Sequence, residues 1–291
     1  MRRLLRILLI LIVLIVVFGL LTMALAPFLI SPQPAPGVTD VRSVASANSR
    51  FVAVQTDDDP VELHYIARPG ANRSDQSEFE PLRPTSPTFV LLHGFTFNLF
   101  TWDRLLDVLE RHGSVIAYDQ VPYGLSAKPV PQGSDGLEVY SKAAALQRLF
   151  AFLDAFGIEQ AILVGNSSGG TLALEAALAE PERIAGLVLI APWVYSKRPI
   201  LPGWLAGLPQ IKRLTLALAR YLGTTNPLLD YSYADPAQID EERRALTSAH
   251  RLVAGWDLAW SALLQRSLTD PVTIAERLEQ IEQPTLVLTG D

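Results

Sequence analysis

The feature that most constrains the fold of this chain is residues 165–169, which read Gly-Asn-Ser-Ser-Gly. An apolar run at 161–164 precedes them, and a helix-forming run at 171–178 follows. Gly-x-Ser-x-Gly between a strand and a helix predicts a turn so sharp that Ser167 takes a strained backbone conformation and projects from the top of a sheet as a nucleophile. The alternatives are a turn that only reverses the chain and a turn that binds a phosphate, although no Lys follows as in a P-loop.

Composition narrows the class of protein. A chain of 291 residues with 49% hydrophobic residues can form one large α/β domain or two small ones. It contains no Cys, which excludes a disulfide framework and a Cys-based metal site but does not fix the compartment. The net charge is −6, and residues 1–30 hold three Arg and no acidic residue, so the rest of the chain is more acidic still. An acidic domain is a poor partner for nucleic acid.

An apolar segment at the N-terminus predicts a membrane anchor. Three Arg among the first six residues precede an uncharged run at 7–30, and about 20 such residues cross the ~30 Å hydrocarbon layer as a helix. A signal peptide with a cleavage site at 24–26 is the alternative, but Pro27 directly after that site hinders cleavage. We therefore expect a single-pass protein whose Arg cluster is cytoplasmic and whose remaining chain lies outside the cytoplasm.

Beyond residue 50, short apolar runs alternate with helical patterns. The first two runs flank a turn and predict an antiparallel hairpin, whereas the later ones are typical of strands buried on both faces. Alternation of this kind predicts an α/β fold with a mostly parallel sheet and helices on both faces. The predicted strands are 51–55, 61–66, 89–92, 115–118, 161–164, 186–190 and 285–289, and the predicted helices are 102–111, 137–156, 170–179 and 272–280.

Residues 193–270 interrupt this alternation, because they contain helical runs at 210–222 and 238–268 and no strand pattern. A helical insertion after a sheet strand predicts a lid over the strand ends, where ligands bind in such sheets. Four of the five Trp lie in it and could line an apolar substrate pocket, or they could only pack the core of the lid. These four are Trp193, Trp204, Trp256 and Trp260.

The chain is therefore expected to have five segments. A transmembrane anchor at 1–30 is followed by a linker at 31–50, whose Pro and small polar residues favour a semi-extended spacer that lifts the domain off the membrane. The core domain is divided into residues 51–192 and 271–291, and the lid at 193–270 lies between these two parts.

Three further stretches accompany the serine motif. His93-Gly94-Phe95-Thr96 follows the predicted strand 89–92, residues 119–126 follow the strand 115–118, and residues 284–291 close the chain. In this order and spacing, the four motifs resemble those of the α/β-hydrolase family, in its capped, epoxide-hydrolase-like branch. The resemblance runs from about residue 50 to the last residue and implies an α/β-hydrolase fold with a helical lid.

The resemblance implies roles for the residues around the serine. Ser167 falls at the nucleophile position, where members that open epoxides or remove halogens carry Asp, so the implied reaction cleaves an ester, thioester, amide or carbon–carbon bond. The backbone N–H groups of Phe95 and Ser168 would form the oxyanion hole. Asn166 stands where the family often has His. The implied substrate is small to medium-sized and partly apolar, and no metal or organic cofactor is implied.

Supporting roles also follow from the resemblance. Gly165 and Gly169 allow the strand and the helix of the serine turn to come close together. His93 and Gly94 shape the oxyanion loop, so His93 is not expected to be the catalytic base. Asp119 is expected to anchor the loop after its strand and not to be the acid of a catalytic triad.

A serine nucleophile needs a general base and an acid that orients it, in the chain order Ser, acid, His for this fold. The one His after Ser167 is His250, and neither it nor His64 or His112 has the expected context. Asp291 matches the first acid of the family's Gly-Asp-x-Asp pattern, which is usually not the catalytic one. We therefore expect a truncated gene product with an uncovered sheet edge, so that these 291 residues are expected to be unstable and inactive. The alternative is an anchored binding module that has lost catalysis.

Overall fold

The computed structural model describes residues 2–57, 59–70, 87–131, 136–195 and 200–290, so Asp291 lies outside the described residues. The described chain begins with one long helix, α1 (Arg2–Leu25), and a 3₁₀ helix continues it to Leu29. Leu5–Leu29 is long and apolar enough to cross a membrane, and its apolar side chains are exposed except that of Pro27. An apolar helix that the rest of the described chain leaves uncovered is more typical of a membrane span than of a core helix.

In the part of the chain that the structure describes, seven strands form one sheet. They are β1 (Arg50–Val54), β2 (Val61–Arg68), β3 (Thr88–Leu92), β4 (Ser114–Tyr118), β5 (Ala161–Asn166), β6 (Ile184–Ile190) and β7 (Thr285–Leu288). Their order in the sheet is β1-β2-β4-β3-β5-β6-β7, with antiparallel pairing of β1 with β2 and of β2 with β4 and parallel pairing elsewhere. The predicted α/β fold with a mostly parallel sheet is confirmed.

The parallel strands differ in how well they are covered. Every residue of β3 and β4 is buried, as expected for continuous apolar runs at the centre of a sheet. Every residue of β7 is exposed, including Leu286, Val287 and Leu288, and among the described strands β7 pairs with β6 alone and lies at the edge of the sheet. Burial on both faces, predicted for the later strands, therefore holds for the centre of the sheet and not for β7, whose exposure agrees with the uncovered sheet edge that was also expected.

Helices cover both faces of the sheet. They are α2 (Asp103–Leu109), α3 (Lys142–Ala155) and α4 (Ser168–Ala179). Along β3, Val90 and Leu92 belong to the core cluster that includes α3 and α4, whereas Leu91 packs in a second cluster with Trp102 and Leu106. Successive side chains of a strand point to opposite faces, and the alternation builds one core on each side.

In the described residues between β6 and β7 there are five α-helices and no strand. They are α5 (Gly203–Ala206), α6 (Pro209–Thr225), α7 (Pro227–Tyr231), α8 (Glu241–Thr247) and α9 (Trp256–Ser267). We call this part the helical insertion. The helix predicted at 238–268 is divided, because Gly255 has a positive φ of 72° directly before α9. The helix predicted at 272–280 is a 3₁₀ helix, Ile274–Gln280.

Residues 31–50 are not the free spacer that their composition predicts. Val38 donates its N–H to Leu252 O over 2.7 Å and accepts the N–H of Ala254 over 3.0 Å, so it pairs with the helical insertion. A Cβ on Gly37 would lie 2.5 Å from Ala254 N, which shows how closely the two backbones approach. Pro and small polar residues are equally compatible with a free extended segment and with a docked one. In this protein, backbone hydrogen bonds attach residues 31–50 to the helical insertion.

Candidate active site

Ser167 lies in the turn between β5 and α4. Its φ of 50° and ψ of −115° are values that L-residues rarely adopt, and holding a residue there costs about 1–3 kcal/mol. Three backbone hydrogen bonds fix the turn: Ser167 donates to Ile190 O over 3.0 Å, and its carbonyl accepts from Thr171 (3.2 Å) and Trp193 (3.0 Å). The strained conformation is therefore held by groups on both sides of the turn.

Two glycines permit this turn. A Cβ on Gly165 would lie 2.6 Å from Gly169 O, and a Cβ on Gly169 would lie 2.1 Å from Leu92 O. Real Cβ atoms essentially never come within 3.0 Å of such atoms, so β5, α4 and the end of β3 meet through backbone alone. This contact explains why glycine stands two residues before and two residues after the serine.

The loop that follows β3 lies beside Ser167. A Cβ on Gly94 would be 3.3 Å from Ser167 Cβ and 2.8 Å from Asn166 Oδ1. Among the described residues, neither the N–H of Phe95 nor that of Ser168 has a protein acceptor. Both residues line one cavity together with Ser167. Unpaired N–H groups beside a serine are the kind of donor that an oxyanion requires.

His93 is fully buried, and both of its ring nitrogens are bonded to backbone. Nδ1–H donates to Gly94 O over 2.8 Å, and Nε2 accepts the N–H of Gln120 over 2.9 Å. Burial lowers the pKa of His93 more than the nearby Asp119 and the Gly94 bond raise it, so the ring is neutral and these two bonds define its tautomer. His93 is bonded to the loops after β3 and β4 and has no nitrogen free for Ser167.

Asp119 joins the loops that follow β3 and β4. Its buried carboxylate accepts the N–H groups of Leu99 and Leu125, each over 2.7 Å, and lies 2.6 Å from His64 Nδ1. Burial raises the pKa of Asp119, but His64 and the Leu99 N–H outweigh it, and the net shift is downward. His64 Nε2 contacts Ser49 Oγ over 2.7 Å. This Asp–His–Ser chain is absent from the described lining of the cavity that contains Ser167, so it braces the fold.

The other histidines do not reach Ser167 either. His250 is buried in the helical insertion beside the rings of Trp256 and Trp260, at centroid distances of 4.9 and 4.3 Å. Burial lowers the pKa of His250 to about 3. His112 lies beyond the end of α2. All four histidines fall within the described residues, and none of them is hydrogen-bonded to Ser167.

A cavity of about 800 Å³ opens on Ser167 and has a mainly apolar wall. Phe95, Ser168 and Trp193 border it near the serine. The helical insertion contributes Leu228, Tyr231, Leu263, Leu264 and Ser267, and the charged lining residues are Lys142, Arg148, Glu175 and Asp270. A pocket of this size and composition suits a partly apolar small molecule.

The four Trp from residue 193 onward have three different environments. Trp193 lines the cavity. Trp256 and Trp260 pack with Ala219 in the core of the helical insertion, and Trp204 is 73% exposed. Trp193 therefore fits the pocket alternative left open by the sequence, Trp256 and Trp260 fit the packing alternative, and Trp204 fits neither.

Two residues that sequence reasoning did not single out hold the loop after β4. Gln120 lines the cavity and donates from Nε2 to His93 O over 2.7 Å. Lys128 is half-buried, and its Nζ donates to Ser126 O over 2.5 Å and to Gly124 O over 2.9 Å. Gln120 could have been found from its place directly after Asp119 in the same motif. Nothing in the sequence around Lys128 signals that its side chain bonds to this loop.

The strand–turn–helix at Ser167 and the sheet topology define a class of protein. A family model described as "alpha/beta hydrolase fold" matches residues 87–259, which is more than half of the chain. The matched residues begin just before β3, include the Ser167 turn and extend into α9. The chain belongs to the alpha/beta hydrolase fold family.

Curated relatives share part of their length with this chain. It is 28% identical over 173 residues to the (lyso)-N-acylphosphatidylethanolamine lipase of Mus musculus, a match that covers 59% of this chain and 48% of the lipase. It is 32% identical over 147 residues to the 1-acylglycerol-3-phosphate O-acyltransferase ABHD5 of Sus scrofa, covering 50% and 40% of the two chains. The chain thus spans about half the length, or less, of these curated relatives.

Solved structures share the fold. A probable hydrolytic enzyme from Pseudomonas aeruginosa superposes with a TM-score of 0.61 at 25% identity, covering 89% of this chain and 78% of that one. A bacterial membrane phospholipase A superposes with a TM-score of 0.58 at 23% identity, covering 98% of this chain and 82% of that one. The second likeness concerns the fold alone, and its coverage extends over α1.

Proposed function

We propose that this chain is a membrane-anchored serine hydrolase in which Ser167 attacks the carbonyl carbon of an ester-like substrate. The observation that carries the proposal is the position of Ser167, which is held at positive φ between β5 and α4 on the wall of a cavity of about 800 Å³. A hydroxyl on such a turn is open to a ligand and rigidly oriented, as nucleophilic catalysis requires.

The oxyanion hole is proposed to consist of the N–H groups of Phe95 and Ser168. Their lack of protein acceptors among the described residues and their position on the cavity wall support this assignment. Negative charge develops on the carbonyl oxygen when Ser167 attacks, and the loss of one such donor costs about 3 kcal/mol of barrier. The reaction as proposed uses no metal and no organic cofactor.

The proposed reaction also needs a base to accept the Ser167 proton. None of the four histidines is hydrogen-bonded to Ser167, so we assign the base and its orienting acid to polypeptide other than these 291 residues. With that base in place, Ser167 forms an acyl ester, the leaving alcohol takes the proton, and water then releases the acid. The same observation favours a second candidate, an inactive anchored module that binds a ligand in the cavity.

The substrate is proposed to be an acyl ester with an apolar chain. The mainly apolar cavity and the contribution of the helical insertion to its wall support this choice, and residues 193–270 are proposed to act as a lid. The names of the curated relatives, a lipase and an acyltransferase for glycerophospholipid-like molecules, point in the same direction.

The helix α1 is proposed to be a single-pass anchor. Its exposed apolar surface and its length support this, and the Arg residues at 2, 3 and 6 favour a cytoplasmic N-terminus with the hydrolase domain outside the cytoplasm.

A fluorophosphonate probe, which reacts with activated serines, tests the proposal on the full-length protein. Ser167→Ala should abolish labelling and lower the hydrolysis of a p-nitrophenyl ester by about 1,000-fold or more, because the nucleophile is lost. Ser168→Ala is the matched control, since it keeps the backbone N–H and should retain most of the activity. Labelling of Ser167→Ala at the wild-type level would contradict the proposed nucleophile.

Residues 31–291 alone are expected not to hydrolyse the ester. Hydrolysis by this fragment that depends on Ser167 would show that a base is present within it, and would remove the need for further polypeptide.

A further inference from the structure

The helix α6 leaves an apolar stripe exposed. Leu214, Leu218 and Tyr221 follow one another at spacings of four and three residues, so they lie on one side of the helix, and they are 49%, 45% and 56% exposed. Thr215 and Ala219 are buried on another side. We call the three exposed side chains the α6 apolar face. An apolar stripe of this kind on the surface marks contact with a partner.

The chain just before α6 is also apolar and exposed. Trp204 in α5 is 73% exposed, and Leu208 is 37% exposed. Trp and Tyr are enriched where proteins meet the boundary between lipid and water, because each ring combines an apolar body with a polar edge. The presence of Trp204 and Tyr221 favours a lipid surface as the partner.

The start of α6 is bonded to the chain at the end of α1. Gln210 Nε2 donates to Ala24 O over 3.4 Å, and Arg213 Nη1 donates to Ile30 O over 2.8 Å. With 3.6 residues per turn, Gln210 lies about 45° and Arg213 about 105° around the helix from the centre of the α6 apolar face. The first turn of the face is therefore exposed next to the bonded chain at the end of α1.

This arrangement is braced by a second set of contacts. Arg220 on α6 donates to Ser31 O over 2.9 Å and to Gln33 O over 2.6 Å, and its Nε pairs with Asp257 over 2.8 Å. Asp257 on α9 is fully buried and also accepts the N–H of Ala35 over 2.9 Å. The chain that leaves α1 is thus tied to both α6 and α9, so α6 cannot move away from the end of α1 without breaking these bonds.

We infer that the α6 apolar face rests on the lipid surface of the membrane that α1 spans. The inference depends on the proposed anchorage of α1. A helix from Arg6 onward crosses the ~30 Å hydrocarbon layer in about 20 residues, which places Ala24 and Ile30 near the far boundary of the membrane. Because the first turn of α6 is bonded to these two residues, the α6 apolar face begins at the depth of the boundary.

The absence of Cys from the sequence makes a direct test possible. Leu218→Cys, labelled with the environment-sensitive fluorophore NBD, is reconstituted as the full chain into phosphatidylcholine vesicles. Val108→Cys on α2 is the matched control, because Val108 and Leu218 are both 45% exposed. The label at 218 should emit at shorter wavelength than the label at 108, and lipids with a nitroxide near the head group should quench it at least about threefold more strongly.

Each alternative result has a distinct meaning. Emission and quenching equal at the two positions would overturn the inference while leaving the anchor intact. Blue-shifted emission at 218 without quenching by the lipid nitroxide, and dependent on protein density, would overturn it in favour of a second copy of the chain as the partner. Extraction of the protein from vesicles by alkaline carbonate would overturn the anchorage and the inference together. Labelling of Ser167 by the fluorophosphonate probe is independent of all three outcomes.

Discussion

The Ser167 turn and the helical insertion are held by different kinds of contact. At the turn, backbone meets backbone, and a Cβ on Gly165 or Gly169 would lie within 2.6 Å of a carbonyl oxygen. In the insertion, side chains hold the helices, as His250 does between two Trp rings and as Arg220 does with Asp257. Backbone contact fixes a position with almost no tolerance for substitution, whereas side-chain contact can be weakened by degrees.

The largest effect is expected at the backbone contact. Gly169→Ala should lower the free energy of unfolding by about 3 kcal/mol or more, because the new Cβ would lie 2.1 Å from Leu92 O. Gly203→Ala is the control, since nothing lies within 4 Å of a Cβ there and the change should be neutral or stabilising by up to about 1 kcal/mol. Urea unfolding in detergent measures both. Equal unfolding free energies of the two variants would show that the backbone contact at the Ser167 turn tolerates substitution as well as the exposed position 203 does.

An intermediate effect is expected from the buried histidine of the insertion. The pKa of His250 is lowered to about 3 by burial, so the unfolded chain, with a pKa near 6.5, binds the proton first as the pH falls. Unfolding free energy should therefore decrease below pH 6.5, by about 2 kcal/mol between pH 7 and pH 5 from this residue. His250→Gln should lose that part of the pH dependence in urea unfolding at the two pH values. An unchanged slope in the variant would mean that burial does not lower the pKa of His250 in the folded state.

The smallest of the three effects is expected at the ion pair. Asp257→Ala should destabilise the fold by about 1–2 kcal/mol, because Arg220 loses its carboxylate and the Ala35 N–H loses its acceptor. Arg220 is 30% exposed, and water compensates part of the loss. Asp257→Asn keeps an acceptor for Ala35 and should cost less. Thermal unfolding compares the two variants, and a greater loss for Asn than for Ala would contradict this assignment of the contacts.

The same contrast explains what the sequence could predict. The sheet and the Ser167 turn could be predicted from local sequence patterns. Apolar runs indicate buried strands, and small residues a few positions apart indicate close contact between backbones. The glycines at 165 and 169 lie at the positions that the turn requires. The loop that contains Phe95 follows β3, which was predicted at 89–92. These features could be predicted before any long-range contact was known.

Other features of the structure could not be predicted from the sequence, because they depend on contacts between residues far apart in the chain or on the conformation of a single residue. The docking of residues 31–50 depends on bonds such as that from Ala35 to Asp257, which are 222 residues apart, and composition alone does not distinguish a docked segment from a free one. The division of helix 238–268 depends on one residue, Gly255, in a left-handed conformation.

The carboxylate of Asp119 determines when the loops after β3 and β4 lose their conformational entropy. By accepting the N–H groups of Leu99 and Leu125, it immobilises the loops after β3 and β4 when the chain folds. In the proposed reaction, the loop that carries Phe95 is then already ordered before the substrate arrives. The loss of loop freedom is a cost of folding and not of the chemical step, so binding energy from the substrate is not consumed in ordering the donors.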